Sequence, residues 1–135
     1  MEFTFKLNYQ LSGNDANYDS LVERLGNAGC DDALIGIGQP GRIALEFTRE
    51  ADSAFFALTS AMADVKRAIP TAKLIEAGPD LVGLTDIADV VGVTRQNMRK
   101  LAVTNFATFP IPVHEGSSAL WHLVDVLGWM LPRGA

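Results

Sequence analysis

The sequence has few of the residues that disulfides and membrane spans require. It contains one cysteine and has no uninterrupted apolar run near the roughly 18 residues of a membrane helix. Cys30 alone cannot form an internal disulfide, so we expect a reduced, partly buried thiol. The first ten residues lack the basic segment and apolar segment of a signal peptide. These features predict a cytoplasmic protein without membrane contact, with one domain or two very small ones in 135 residues.

Patterns typical of enzymes and metal sites are also missing. Cys30 has no recognisable base beside it, and a reactive thiol needs one or a similar activator. His114 and His122 have no further ligands at metal-binding spacing. The early aspartates do not follow a calcium-loop pattern, so we expect them to be solvated at helix ends and turns: Asp15, Asp19, Asp31 and Asp32. The sequence therefore predicts a protein that is not an enzyme and that binds neither a cofactor nor a metal.

Acidic side chains are absent from one stretch of an otherwise acidic chain. The net charge is −5, which argues against broad nonspecific binding to nucleic acid. Between Val90 and His114, however, the only charged residues are Arg95, Arg99 and Lys100. Because the positive potential is local, it favours a small, specific footprint on phosphate.

Before residue 79, strand and helix patterns follow one another. Residues 3–11 alternate apolar and polar side chains without a break, as in a half-buried strand. The patterns that follow predict a helix over 18–28, strands over 33–37 and 43–48, a helix over 51–69 and a strand over 71–76. The apolar side chains that we expect to face inward from the two helices are Leu21, Val22 and Leu25, then Phe55, Leu58, Met62, Val65 and Ile69.

This order of elements predicts a ferredoxin-like βαββαβ domain over residues 1–78. In that arrangement two helices cover one face of an antiparallel sheet. The opposite face would carry small or polar side chains, namely Thr4, Lys6, Asn8, Gln10, Ala44, Glu46 and Thr48. The fold supports many functions and so names none by itself.

Residues 84–101 predict two short helices joined by a tight turn. Thr85 is a plausible N-cap of the first helix, which Gly92 ends. Thr94 is placed to cap the second helix, and Met98 and Leu101 face inward. This stretch resembles a helix-turn-helix DNA-binding motif, with small Ala88 at the crossing, Gly92 four residues later and Met98 after that.

The resemblance implies that a recognition helix over residues 94–102 enters the major groove of double-stranded DNA. Arg binds guanine bidentately, and Gln or Asn binds adenine in the same way. We expect Arg95 and Gln96 to read bases and Arg99 and Lys100 to meet the backbone, with a base contact as the alternative for Arg99. The full set of predicted DNA-binding residues is Thr85, Thr94, Arg95, Gln96, Asn97, Arg99, Lys100, His114, Ser117 and Ser118.

The residues after the motif extend this resemblance. A Phe109-Pro110-x-Pro112 segment leads to two short extended pieces around Gly116, which predict a β-hairpin wing, and a final helix covers residues 122–131. Together with Trp121, residues 81–131 resemble the compact winged helix of MerR-type regulators and of AlpA-type or excisionase-like phage regulators. Where such wings often carry Arg or Lys, this chain has Glu115, Ser117 and Ser118.

The resemblance implies a winged helix-turn-helix domain over residues 79–135 and a prokaryotic or phage transcriptional regulator, a repressor or an autoregulator. Two alternatives stay open: an architectural DNA-bending factor, and an adaptor that binds protein instead of DNA. A toxin or a recombinase would be a suitable protein partner. Because one winged helix binds DNA weakly, we also expect a homodimer, formed through the polar sheet face, the helix-covered face or the terminal helix.

Overall fold

A computed structural model describes residues 1–13, 17–37, 39–78, 80–115 and 119–131 of the chain. Over these ranges the protein is a mixed α+β structure with a four-stranded antiparallel sheet, a two-stranded antiparallel ribbon and five helices. No helix in these ranges is both long and apolar enough to cross a membrane.

The six elements predicted before residue 79 are present in the predicted order. They are β1 (Glu2–Gln10), α1 (Tyr18–Asn27), β2 (Ala33–Gly36), β3 (Arg42–Glu50), α2 (Ala54–Ala68) and β4 (Lys73–Gly78). The sheet order is β2-β3-β1-β4, and every neighbouring pair is antiparallel. Helix α2 starts three residues later than predicted because Ser53 is its N-cap, with Oγ accepting from the Phe56 N–H at 3.1 Å.

The alternation in β1 and β3 places their apolar side chains on one buried face. Phe5 and Leu7 pair across the strands with Phe47 and Leu45, and the rings of Phe5 and Phe47 stack with centroids 5.3 Å apart. Helix α2 contacts both strands, and α1 packs beside α2. The predicted inward position of Val22 is wrong: its side chain is 43% exposed, because the buried stripe of α1 consists of only Leu21 and Leu25.

The opposite sheet face is the polar one that the sequence predicts. Five of its seven side chains are exposed, and the other two, Asn8 and Ala44, are half-buried. Asn8 Nδ2 donates to Glu76 Oε1 at 3.1 Å across the β1–β4 pair.

The second part of the chain adds β5 (Leu81–Val82), α3 (Leu84–Val91), α4 (Arg95–Thr104), β6 (Trp121–His122) and α5 (Leu123–Met130). Strand β5 pairs with β6. The sequence did not predict β5, because two residues are too few to show a periodic pattern. The terminal helix begins one residue late, with His122 as its N-cap. Helix α5 packs against β4, and α3 packs against α2. The buried side chains of both parts form one core cluster.

A buried arginine connects the sheet to the helix layer. The side chain of Arg49 donates to both carboxylate oxygens of Asp32, at 2.7 and 3.0 Å, and to Asp64 Oδ2 at 2.9 Å. It also donates to the Gly29 carbonyl at 2.9 Å and lies 5.0 Å from the ring centroid of Phe47. Hydrogen bonding to Asp32 raises the pKa of Arg49. The prediction that Asp32 is merely solvated is therefore wrong.

Cys30 lies next to this network as a buried thiol. Its exposed fraction is 2%, so it is more deeply buried than predicted. Burial first, and the charge of Asp64 second, raise the pKa of the thiol to about 11. Such a thiol is protonated at neutral pH and unreactive as a nucleophile.

We predict that Arg49→Met destabilises the protein by about 3 kcal/mol, since removing the arginine leaves Asp32 without its counter-charge and Asp64 with only the exposed Arg67. The free energy of unfolding from denaturant titration measures this. Arg42→Met is the matched control, because Arg42 begins the same strand and is exposed. We expect the control to change stability by less than about 0.5 kcal/mol. Equal effects of the two substitutions would contradict a role for the buried network.

Candidate nucleic-acid interface

The first helix of the predicted motif begins earlier than the sequence indicates. Its N-cap is Gly83 and not Thr85. The carboxylate of Asp86 accepts from the Gly83 N–H at 3.0 Å, which supplies one of the hydrogen bonds that a helix start lacks. Thr85 therefore lies inside the first turn of α3, where its side chain is exposed.

The turn between α3 and α4 depends on Gly92. Its φ is 86° and its ψ is 30°, the left-handed conformation that favours glycine. The N–H groups of Gly92 and Val93 both donate to the Ala88 carbonyl, at 2.8 and 3.0 Å. The predicted helix end at Gly92 is confirmed, and two bonds at one carbonyl hold the turn.

Helix α4 is capped and buried as predicted. Thr94 Oγ1 accepts from the Asn97 N–H at 3.1 Å. Met98 is fully buried, as is Ile87 of α3, and the neighbouring Ala88 is 2% exposed. A small residue at the crossing lets the two helices approach closely, and α3 and α4 make extensive contacts.

Opposite Met98, α4 presents an exposed polar face. The side chains of Arg95, Gln96, Asn97, Arg99 and Lys100 are all exposed. At helical spacing, Gln96 and Lys100 lie one turn apart on the line farthest from Met98. Arg95, Arg99 and Lys100 form no ion pair with another residue in the described ranges. Three cations are therefore available to an anionic ligand along ten residues of helix.

The segment that follows α4 is fixed by an aromatic cluster. Phe109 lies edge-on to Trp121 and to Trp129, with ring centroids 5.8 and 5.0 Å apart. Trp121 Nε1 donates to the Pro110 carbonyl at 2.9 Å, and Trp129 Nε1 donates to Thr108 Oγ1 at 3.2 Å. These contacts hold residues 108–110 against β6 and α5, and they therefore fix the path of the chain after the end of α4.

The predicted wing is described only in part. His114 and Leu120 form an antiparallel bridge, and the Val113 N–H donates to the Leu120 carbonyl at 2.8 Å. His114 is exposed. The predicted contacts Ser117 and Ser118 lie outside the described residues. The structure thus exposes all the predicted α4 contacts, with Gln96 and Lys100 on the line farthest from Met98, and leaves the wing contribution as a prediction.

No pattern in the sequence predicted the pair formed by His122 and Asp80. The imidazole Nδ1 lies 3.0 Å from Asp80 Oδ2, and the Leu123 N–H donates to the Asp80 carbonyl at 2.7 Å. These contacts join the start of β5 to the start of α5. His122 is therefore occupied by a structural contact, which no local pattern signals because 42 residues separate the two side chains.

The sequence also gave no sign of an apolar groove beside α4. It has a volume of about 480 Å³ and runs between the second half of α4 and residues 109–112. Arg99, one of the predicted DNA contacts, lines the groove, so its side chain lies at the border between the polar face and the apolar one.

We predict that Gly92→Ala destabilises the protein by about 1–2 kcal/mol, because an L-residue pays that cost in the left-handed region. No atom lies within 4 Å of an added Cβ, so the cost is one of backbone strain. Gly128→Ala is the matched control, since Gly128 lies in α5 with equally open space. We expect the control to stabilise by about 0.5–1 kcal/mol. Denaturant titrations that gave the same sign for both variants would contradict this account of the turn.

Comparison of the chain with protein-family models, with curated proteins and with solved structures found no match. The case for function therefore stands on the geometry of α3, α4 and the groove beside them.

Proposed function

We propose that this protein is a sequence-specific double-stranded DNA-binding transcriptional regulator whose recognition helix is α4. One observation carries the proposal. Helix α4 packs on α3 and buries Met98 in the core, and the side of α4 farthest from Met98 is exposed and free of acidic residues. A rigid helix with cations and amide side chains on its outer face fits the major groove, which admits one α-helix.

The proposal also includes a fold for each part of the chain. We assign residues 81–131 to a winged helix-turn-helix. The β5–β6 pairing and the His114–Leu120 bridge support this assignment, because a winged helix joins its helices to a small sheet. We assign residues 1–78 to a ferredoxin-like domain, which the antiparallel order β2-β3-β1-β4 and the packing of two helices support.

Base reading falls to the start of α4. In helix-turn-helix proteins the N-terminal residues of the second helix contact base edges. Arg95 and Gln96 occupy this place, and both are exposed. The guanidinium of Arg95 suits the O6 and N7 acceptors of guanine, and the amide of Gln96 suits N6 and N7 of adenine. Asn97 and Thr94 lie beside them; the hydroxyl of Thr94 is already used by the helix cap.

Backbone contacts fall to Lys100. It lies one turn beyond Gln96 on the outer line of α4, where a lysine meets phosphate as a point charge. Each phosphate neutralised releases counterions, so binding weakens as salt rises. With so few cations we expect a steep preference for the specific sequence over random DNA, since electrostatics alone supply little affinity at physiological salt.

An adaptor that binds protein is the second candidate, and the apolar groove favours it. Equilibrium binding to DNA decides between the two, because an adaptor would show no salt-dependent, sequence-selective affinity. Selection of bound sequences from a random duplex pool provides the DNA for that measurement.

We predict that Arg95→Ala costs about 1–3 kcal/mol of binding free energy on the selected sequence and relaxes the preference at one base position. The loss follows from the bidentate contact with a single base. Fluorescence anisotropy on the selected duplex and on each of its single-base variants measures the effect. An equal loss on selected and random DNA would contradict a base-reading role for Arg95.

Lys100→Ala is the matched control on the same helix. It removes a phosphate contact, so it should weaken all sequences alike and lower the slope of log affinity against log salt by about one. A change in base preference with an unchanged slope would contradict the backbone assignment.

A further inference from the structure

The apolar groove beside α4 is a surface feature that DNA reading does not use. Its walls are the last turns of α4 and the segment that the aromatic cluster fixes. The apolar side chains that line it include Ala102, Val103, Phe106, Phe109, Ile111 and Trp121. We call this surface the α4 groove.

Three apolar side chains of the α4 groove project into solvent. Phe106 is 82% exposed, Ile111 is 84% exposed and Val103 is 61% exposed. Scattered exposed apolar residues are normal, but a contiguous group beside a groove marks an interaction site. A phenylalanine side chain that is exposed in the single chain gains free energy when a partner buries it. Aromatic side chains often serve as anchors at the centre of protein interfaces.

The α4 groove also carries one charge of each sign. Arg99 and Glu115 both line it, and neither forms an ion pair with another residue in the described part of the chain. Both side chains are exposed. In a two-fold interface, residue i of one copy meets residue j of the other and the reverse contact also occurs. A patch that has an apolar centre and two unpaired opposite charges is therefore complementary to itself.

We propose that a second copy of this chain docks on the α4 groove across a two-fold axis. Phe106 of each copy enters the groove of the other. Arg99 pairs with Glu115 of the partner subunit, and the reverse pair forms at the other end. This assignment commits Arg99 to the dimer and leaves Arg95, Gln96 and Lys100 to DNA.

Two of the three surfaces that the sequence suggested for dimerisation, the terminal helix and the polar sheet face, offer less. Trp129 and Met130 of the terminal helix are 8% and 0% exposed, so they are consumed by the core of their own chain. At the β2 edge of the sheet, the polar face has a large exposed apolar neighbour, Leu34, which is 75% exposed. That edge provides the competing hypothesis and a control position.

Dimerisation at the α4 groove goes beyond the DNA-binding proposal and does not depend on it. Since the groove adjoins the recognition helix, the dimer would hold two copies of α4 close together. Helix-turn-helix dimers use two such helices to read half-sites about one DNA turn apart.

The first experiment measures the dimer dissociation constant by analytical ultracentrifugation of the full chain, without DNA. We expect dimers at micromolar concentration. Phe106→Ser should raise the dissociation constant at least about tenfold, as loss of a central aromatic anchor does. Phe56→Ser is the matched control, because Phe56 is a 61% exposed phenylalanine on α2, and it should leave the constant unchanged. Leu34→Ser tests the sheet edge in the same way.

The second experiment uses charge reversal and mixing. Arg99→Glu alone and Glu115→Arg alone should each be monomeric, because like charges then face each other at both ends of the interface. An equimolar mixture of the two variants should form heterodimers, since every pair is then again of opposite sign. Native mass spectrometry resolves the heterodimer by its mass.

Three results would overturn the proposal. They are a wild-type chain that is monomeric at micromolar concentration, a dimer that Leu34→Ser disrupts and Phe106→Ser does not, and charge-reversed variants that fail to associate when mixed. Since no DNA is present, a negative result here leaves the DNA-binding measurements unaffected. Circular dichroism spectra and melting temperatures of the variants that match those of the wild-type protein would show that the folds of the variants are intact.

Discussion

The packing of α4 on α3, with Met98 buried in the core, is the contact on which the proposed interface depends. A helix of ten residues is only marginally stable alone in water, so α4 takes its position from tertiary packing. Met98 is fully buried together with Ile87, and Ala88 leaves room for the approach. Because the inward side of α4 is fixed at this point, the direction of every exposed side chain on it is also fixed.

The rest of the chain supplies the support for that crossing. Helix α3 packs against α2, and α5 packs against β4. Two separate contacts therefore attach the second part of the chain, which contains α3 and α4, to the sheet and its helices. Asp80 and His122 join β5 to α5, and Phe109 between the two tryptophans fixes the exit of α4. These contacts make the elements that support α4 part of one hydrophobic core. Such support matters for the proposed function, because a surface that discriminates between bases must be rigid.

Local patterns in the sequence predicted the elements that local forces determine. The strict alternation of residues 3–11 predicted β1, and the Gly92 and Thr94 signals predicted the end of one helix and the start of the next. The Gly83 cap was missed because an N-cap without a side chain leaves no composition signal. Val22 was misplaced because the hydrophobic spacing gave a wider stripe than the helix buries.

Contacts between distant residues could not be predicted in this way. Asp32 and Asp64 meet Arg49 only after the sheet and helices pack, so Asp32 was predicted to be an ordinary solvated side chain. One signal was available: extending the alternation of β3 by two residues places Arg49 inward, and a buried arginine requires acidic partners. The α4 groove had no such signal, because its lining residues come from α4 and from several other segments that meet only when the chain folds.

Selection of bound sequences from a random duplex pool tests the central claim, that α4 reads DNA through its exposed face. After selection, protection of guanine N7 from methylation on the enriched duplex locates the bound groove. The account predicts an enriched motif, salt-dependent binding to it above random DNA, and protection confined to the major groove within the motif. A pool that shows no enrichment at any salt concentration, or a bound motif whose guanine N7 atoms remain fully reactive, would contradict it.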